Sequence, residues 1–428
     1  MFYAKTTLPS GLRVITESIP YVRSASVGVW VGAGSSWETP QNMGISHLIE
    51  HMLFKGTPSR TARQIAQEID GRGGNLNAYT AKEQTCYYAK VLDEHLPVAI
   101  DVLADMVLHS MFDPNHLAKE KGVVVEEIKM YEDVPDDLVH DLFAAAMWEG
   151  HALGRPIVGT EETVQSFTRE QILGYCASHY IPSNIVIAAA GNVEHQQVVD
   201  LVARAFDELG QRSGSVPDWP AAPTDPQGPR SILRVKEHEQ VHLVVGMKGL
   251  YQDHDDLYAL HLLNTVLGGG ASSRLFQEIR EERALAYSVF SYQSSFQSTG
   301  NFAVYAGVSP KAVNEVLELI LKEYRTMGEN GLTAEELKAA KDQLKGEIML
   351  GLESTSGRMT RLGRGELTRG RVLSPDEIVA KIDAVTLEGA AALAHRLFVA
   401  EPKVLAAVGP LDEAADFKAF GFPEVQHG

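Results

Sequence analysis

Apolar and polar positions change period several times along this chain, and each change marks an element. Over Ser24 to Val31 (SASVGVWV) apolar residues alternate with small or polar ones, the two-residue period of a strand. The opening residues, before the turn at Pro9-Ser10-Gly11, read as another strand. Thr85 to Leu92 (TCYYAKVL) carries the β-branched and aromatic residues that suit a sheet. Between these segments the period lengthens. Ile45 to Phe54 and Thr61 to Asp70 follow helical spacing, the second ending at Gly71-Arg72-Gly73-Gly74, and Leu96 to Leu108 is amphipathic. Strands joined through hairpin-like turns, with helices interspersed irregularly, predict an α+β fold whose sheets are largely antiparallel and packed with helices.

One stretch has neither period. From Gln211 to Arg230 the chain reads QRSGSVPDWPAAPTDPQGPR, with Pro217, Pro220, Pro223, Pro226 and Pro229 at every third position. Polyproline II has three residues per turn, so a stiff, extended connector is expected over 211–230, between domains at 1–210 and 231–428. The two flanking halves repeat. Half a chain length apart, His47-Leu48-Ile49-Glu50-His51 stands against His261-Leu262-Leu263-Asn264-Thr265, and Ser59-Arg60 against Ser273-Arg274. Slightly larger shifts align Glu127-Ile128 with Glu347-Ile348 and Ala188-Ala189-Ala190-Gly191 with Ala406-Ala407-Val408-Gly409. The common order predicts two homologous domains related by internal duplication.

Composition narrows the function classes. With 38 basic and 56 acidic residues the formal charge is −18, which repels a nucleic-acid backbone and makes it an unexpected partner. No apolar run reaches the roughly 18 residues of a membrane-spanning helix, and the first residues lack the basic-then-apolar pattern of a secretory signal. Two cysteines, Cys86 and Cys176, without metal-like spacing fit a reducing compartment. A cytoplasmic protein without membrane partners is the expectation.

The candidate chemistry lies at residues 47–51. On a helix, Ile45, Leu48, Ile49, Met52 and Leu53 gather on one face and His47, Glu50 and His51 on the opposite one. Imidazoles at i and i+4 sit one above the other at a spacing suited to one tetrahedral ion, with Glu50 within reach of a water at the open position. A third ligand is needed, and KEKGVVVEEIKM (Lys119 to Met130) offers Glu120, Glu126 and Glu127. Glu120 and Glu127 share a helix face, but about 10 Å of axial rise separates them. Both therefore cannot bind one ion directly, and one supports a ligand instead.

HLIEHMLFKGT, followed downstream by Glu127 in EKGVVVEEI, resembles the inverted zinc motif of the pitrilysin/insulinase family. The branch it most resembles holds mitochondrial processing peptidase β-subunits and their bacterial relatives. The likeness extends to GGNLNAYTAKEQT and to GGGASSRLFQEIREERALAYS in the second half. It implies a zinc metalloendopeptidase with His47, His51 and Glu127 as ligands of one zinc per chain, Glu50 as general base and Glu120 as supporting carboxylate. It implies substrate held as an added strand along Asn77 and Ala78. It further implies Arg280 and Tyr287 as a pair that binds substrate and stabilises the oxyanion. Longer family members enclose the site with four such domains, so a two-domain chain is expected to form a homodimer.

The second half repeats the helix without the chemistry, since Asn264 and Thr265 stand where Glu50 and His51 do, and His261 is expected to be structural. The remaining histidines, His95, His151 and His179 among them, form no comparable cluster, and no serine or cysteine nucleophile has a partner constellation. A rival from another class is a non-catalytic peptide-binding subunit that complements an active peptidase. The intact motif argues against it.

Overall fold

In the computed structural model, which describes residues 2–212, 214–216, 218–411, 417–423 and 426–427, the sequence pattern becomes two six-stranded sheets. The first holds β1 (Ala4–Thr7), β2 (Arg13–Ser18), β3 (Ser24–Val31), β4 (Asn75–Thr80), β5 (Thr85–Leu92) and β6 (Ile185–Gly191), in the order β1-β2-β6-β3-β5-β4. The second holds β7 (Arg230–Val235), β8 (Val241–Lys248), β9 (Ala286–Ser295), β10 (Gly300–Val308), β11 (Val404–Gly409) and β12 (Gln426–His427), in the order β12-β7-β11-β8-β10-β9. Without β1 and β12 the two orders are the same permutation, including the parallel pair β2–β6 and its counterpart β7–β11 in otherwise antiparallel ladders. This is the α+β duplication expected from the halves.

The helices begin and end where local chemistry directs. Those that build and flank the site are α1 (Ile45–Leu53), α2 (Ala62–Asp70), α3 (Leu96–His109), α4 (Pro114–Asp133) and α5 (Pro135–Met147). Thr61 closes a capping box with Gln64 at the start of α2, and Pro135 opens α5 at a position where its missing N–H costs nothing. Among the described residues no single helix is long and apolar enough to cross a membrane.

The chain folds into two compact units, and their bounds differ from the halves read in the sequence. One comprises Met1–Ile128, Pro156–Pro220 and Met349–Ser374; the other comprises Lys129–Arg155, Ala221–Ile348 and Pro375–Gly428. Each half of the chain thus contributes a helix to the other half's sheet. In the first unit the helix Thr355–Arg369 lies over β2, β3 and β6, with Met359 and Leu362 buried against Ile15, Trp30 and Val186. In the second unit α5 lies over β8 and β11, with Val139 and Phe143 buried among Val244, Ala303 and Ala406.

This exchange explains a departure from the sequence reading. The alternation over Ser24–Val31 predicts one buried and one polar face, yet nearly every residue of β3 is buried. The small residues of the second face admit a helix. Ser26 Oγ lies 2.9 Å from Thr355 Oγ1, and a Cβ on Gly28 would come within 2.8 Å of Met359 Sδ.

Of the proline-rich stretch, Ser213 and Pro217 lie outside the described residues. The remainder forms no helix or strand between Gln211 and Arg230. Trp219 packs edge-on against Trp37 in the first unit, their rings 4.5 Å apart. In the second unit, Ala221 O lies 2.9 Å from His151 Nε2.

Close approach at the exchanged helix gives a stability prediction. A Cβ on Gly363 would overlap the buried Trp30 indole, whereas one on Gly346, in the helix Ala334–Gly351, meets nothing within 4 Å. Gly363→Ala is expected to cost about 1–3 kcal/mol by overpacking, and Gly346→Ala to be neutral or stabilising by about 0.5–1 kcal/mol. Equilibrium urea unfolding of both variants checks this, and equal effects would contradict it.

Candidate metal centre

α1 is too short to hold its own position, and the surrounding residues fix it. Gly44 precedes it at φ +87°, a conformation that favours glycine, and a Cβ there would come within 2.6 Å of Val158 O. The N-terminal N–H groups are answered from upstream. The Gly44 N–H donates to Glu38 Oε2 at 2.8 Å and the Ser46 N–H to Glu38 Oε1 at 2.9 Å. Glu38 is buried, and burial raises its pKa while these two N–H bonds and Lys82 pull it back down. A carboxylate at this end of the helix also faces the positive end of the helix dipole. Along the apolar face Ile45, Leu48, Ile49, Met52 and Leu53 are all buried in the core.

The opposite face is enclosed rather than open. His47 is buried and Glu50 and His51 are half-buried, because β4 packs beside α1 and α4 brings two glutamates to it. The His47 and His51 rings stand 4.6 Å apart. Glu127 Oε1 lies 3.7 Å from His47 Nε2, and Glu127 Oε2 lies 3.5 Å from His51 Nε2. Two ligands on a tetrahedral zinc with arms of 2.0–2.2 Å are about 3.3–3.6 Å apart; the 3.5 Å separation falls in that range and the 3.7 Å one just above it. Among the described residues this is the one group of three or more His, Cys, Asp or Glu side chains whose ligand atoms converge, all within 4.8 Å of one another.

Electrostatics suits the same use. Burial, with His51 adding to it, pushes the His47 pKa down to about 4, so the imidazole is neutral and its lone pair available. Burial raises the Glu127 pKa, and His51 opposes that. Glu120 does what the axial-rise argument requires of the second glutamate. The His51 Nδ1–H donates to Glu120 Oε2 at 3.3 Å, which leaves the lone pair on Nε2, toward Glu127. Glu126 lies outside this group.

Glu50 stands beside the donors. The Thr80 hydroxyl donates to Glu50 Oε2 at 2.6 Å, and burial raises the Glu50 pKa against that bond. Thr80 is the last residue of β4, the edge strand of its sheet, with β5 as its one strand partner among the described residues. Asn77 is exposed on that strand, its Oδ1 accepting from the Ala78 N–H at 2.8 Å.

Three participants escape the sequence reading. Thr80 carries no signal of its own, because only the register of β4 aims it at Glu50. Glu38 lies six residues ahead of Gly44, outside the range of ordinary capping patterns. Lys55, with Nζ 2.8 Å from Glu120 Oε1, stands four residues after His51, and that spacing was a usable signal.

In the second unit Arg280 lies in a π-helical turn, Phe276–Glu282, with its guanidinium 4.7 Å from the Phe276 ring centre and 4.8 Å from that of Tyr287. Tyr287 is 78% exposed on β9, the edge strand there. On the helix Leu257–Gly268, His261 Nδ1 lies 2.6 Å from Gln293 Nε2, and the Asn264 carbonyl accepts from Ser291 Oγ at 3.1 Å. His261 has become packing.

Residues 13–161 match the family model of insulinase (peptidase family M16), and residues 166–344 that of the peptidase M16 inactive domain. A Bacillus subtilis protein named "uncharacterized zinc protease YmxG" is 46% identical over 94% of this chain and 97% of its own length. A Streptomyces coelicolor protein, "uncharacterized zinc protease SCO5738", is 46% identical over 96% of this chain and 90% of its own. Among solved structures, a protease from Helicobacter pylori superposes with a TM-score of 0.91 at 22% identity, covering 95% of this chain and 99% of that one. The peptidase M16 inactive domain from Pseudomonas fluorescens does so with a TM-score of 0.89 at 21% identity, covering 96% and 98%.

His261 supplies a pH prediction. Burial lowers its pKa from 6.5 to about 4, so between those values the unfolded chain binds the proton and the folded one does not. Stability from this group is present above about pH 6.5 and is lost as pH falls toward 4. In His261→Gln, the urea midpoint should fall less between pH 7.5 and pH 5 than in the wild type. An unchanged difference would show that His261 does not titrate this way.

Proposed function

The chain belongs to the insulinase family, peptidase family M16, and from that membership we propose that it is a zinc metalloendopeptidase acting on peptides or unfolded protein segments. The observation that carries the reading is the convergence of His47, His51 and Glu127 on one point, with Glu50 held beside it by Thr80. His47, His51 and Glu127 would hold one zinc per chain. When bound, zinc acts as a Lewis acid that polarises a carbonyl and makes a water nucleophilic near neutral pH.

The chain's own groups do the rest. Glu50 accepts the proton of the attacking water on its carboxylate and returns it to the leaving amine. Thr80 keeps that carboxylate oriented through the bond from its hydroxyl to Oε2. Glu120 keeps His51 in the ligating tautomer. An extended substrate adds to the sheet along Asn77 and Ala78, and the place of β4 at the end of its sheet's strand order supports this. Arg280 and Tyr287 offer a cation and a phenol to the developing oxyanion, and their stacking in the second unit supports a joint role. The free thiols Cys86 and Cys176 support a reducing, cytoplasmic setting.

The roles separate by mutation. Glu50→Gln should keep zinc and lose hydrolysis by at least about a hundredfold, while His51→Ala and Glu127→Ala lose both. Elemental analysis alongside peptide turnover checks this, with one zinc per chain expected. Near-normal turnover by Glu50→Gln would remove it as the base, and two firmly bound zincs would contradict the stoichiometry.

The active form is proposed to be a homodimer in which Arg280 and Tyr287 of one chain serve the zinc site of the other. Enclosure of the zinc by a second chain would exclude folded proteins. Glu50→Gln and the double variant Arg280→Ala, Tyr287→Phe should each be nearly inactive alone. Mixed and allowed to exchange subunits, they should regain part of the activity. No recovery despite exchange seen by native mass spectrometry would sink the arrangement.

A further inference from the structure

The residue four places after His51 stays on the same side of the helix. The Lys55 N–H donates to the Met52 carbonyl at 3.1 Å, so the backbone is still turning there, and Lys55 rises over the His51 face. Its Nζ sits 2.8 Å from Glu120 Oε1, while Glu120 Oε2 lies 3.3 Å from His51 Nδ1. Glu120 is 7% exposed, with one oxygen on the lysine and the other on the imidazole. A buried carboxylate needs such partners. Without Lys55, one oxygen would be left unanswered and the carboxylate would turn toward water, away from His51.

We propose that Lys55 is a positioning residue of the metal centre, clamping Glu120 so that its far oxygen fixes His51 with Nε2 directed at the metal. The inference rests on the zinc reading above. It has a distinctive sign. Lys55 is a cation close to a site for a divalent cation, so its direct field opposes metal binding, and deleting it should tighten zinc if that field were its main effect. Acting through Glu120, its deletion loosens zinc, because groups that orient metal ligands contribute about 10–100-fold in affinity.

The test titrates the metal-free full chain with zinc against a competing chelating indicator, with the absorption spectrum of the cobalt(II)-loaded protein as a second readout. Lys55→Met should weaken zinc about tenfold and shift the cobalt bands. Lys55→Arg, which keeps the cation and its reach, should stay close to wild type. In a Glu120→Gln background, Lys55→Met should add less than about a twofold loss. Lys55→Gln replaces Lys55→Met if the latter melts early by circular dichroism. Unchanged or tighter zinc binding in Lys55→Met overturns the inference. So does an equal loss in the Glu120→Gln background, which would make Lys55 a support of the helix end alone. His51→Ala separates the two readings. If wild type binds zinc no better than His51→Ala, the zinc reading fails. If those two differ as expected and Lys55→Met does not, only the role of Lys55 fails.

Discussion

Everything at the site depends on where one nine-residue helix is held. A helix that short is marginal in water, so its position comes from tertiary contacts. Glu38 grips its first N–H groups, five apolar side chains bury one face, and Lys55 ties its end to Glu120. The ligand geometry follows. Two turns of α4 separate Glu120 from Glu127, too far apart to share an ion, but an imidazole has two nitrogens on opposite sides of its ring. Glu120 meets the outer nitrogen of His51 while Glu127 faces the inner one, so the spacing that forbids joint ligation suits joint support.

The duplicated unit shows what the same frame becomes without the chemistry. Its helix Leu257–Gly268 keeps His261, but amide and hydroxyl groups on β9 take the polar contacts that α4 supplies in the first unit. The closest approach is backbone to backbone, since a Cβ on Gly268 would strike Ser291. β9 keeps the feature the two units share, a strand at the edge of its sheet among the described residues, and there Tyr287 stands in the open with Arg280 against its ring.

Much of this was legible in the residues. The period over Ser24–Val31 located a strand to the residue, and the helical spacing over Thr61–Asp70 located a helix to within one residue of its start. The i, i+4 histidines located two members of the converging group, and the two-turn spacing of Glu120 and Glu127 matches their places on either side of the His51 ring. What stayed hidden was set by non-local geometry. Amphipathicity tells that α5 and Thr355–Arg369 each bury a face, but not against which sheet. The small residues Ser26 and Gly28 look like a solvent face until a helix from the far end of the chain is laid on them. Thr80 and Glu38 act through register and a loop closure, which no local pattern encodes.

The exchanged helix also bears on how the protein comes into being. The back of the first sheet, where Ile15, Trp30 and Val186 lie, is covered by residues around Met359 and Leu362. During synthesis from the N-terminus, the sheet strands through Gly191 emerge long before that cover does. For the time needed to translate more than the whole second sheet up to β10, the nascent chain carries an apolar face with nothing of its own to place on it. The finished first unit is therefore a late product of translation, and the ribosome-bound intermediate is where a chaperone, or aggregation, would act.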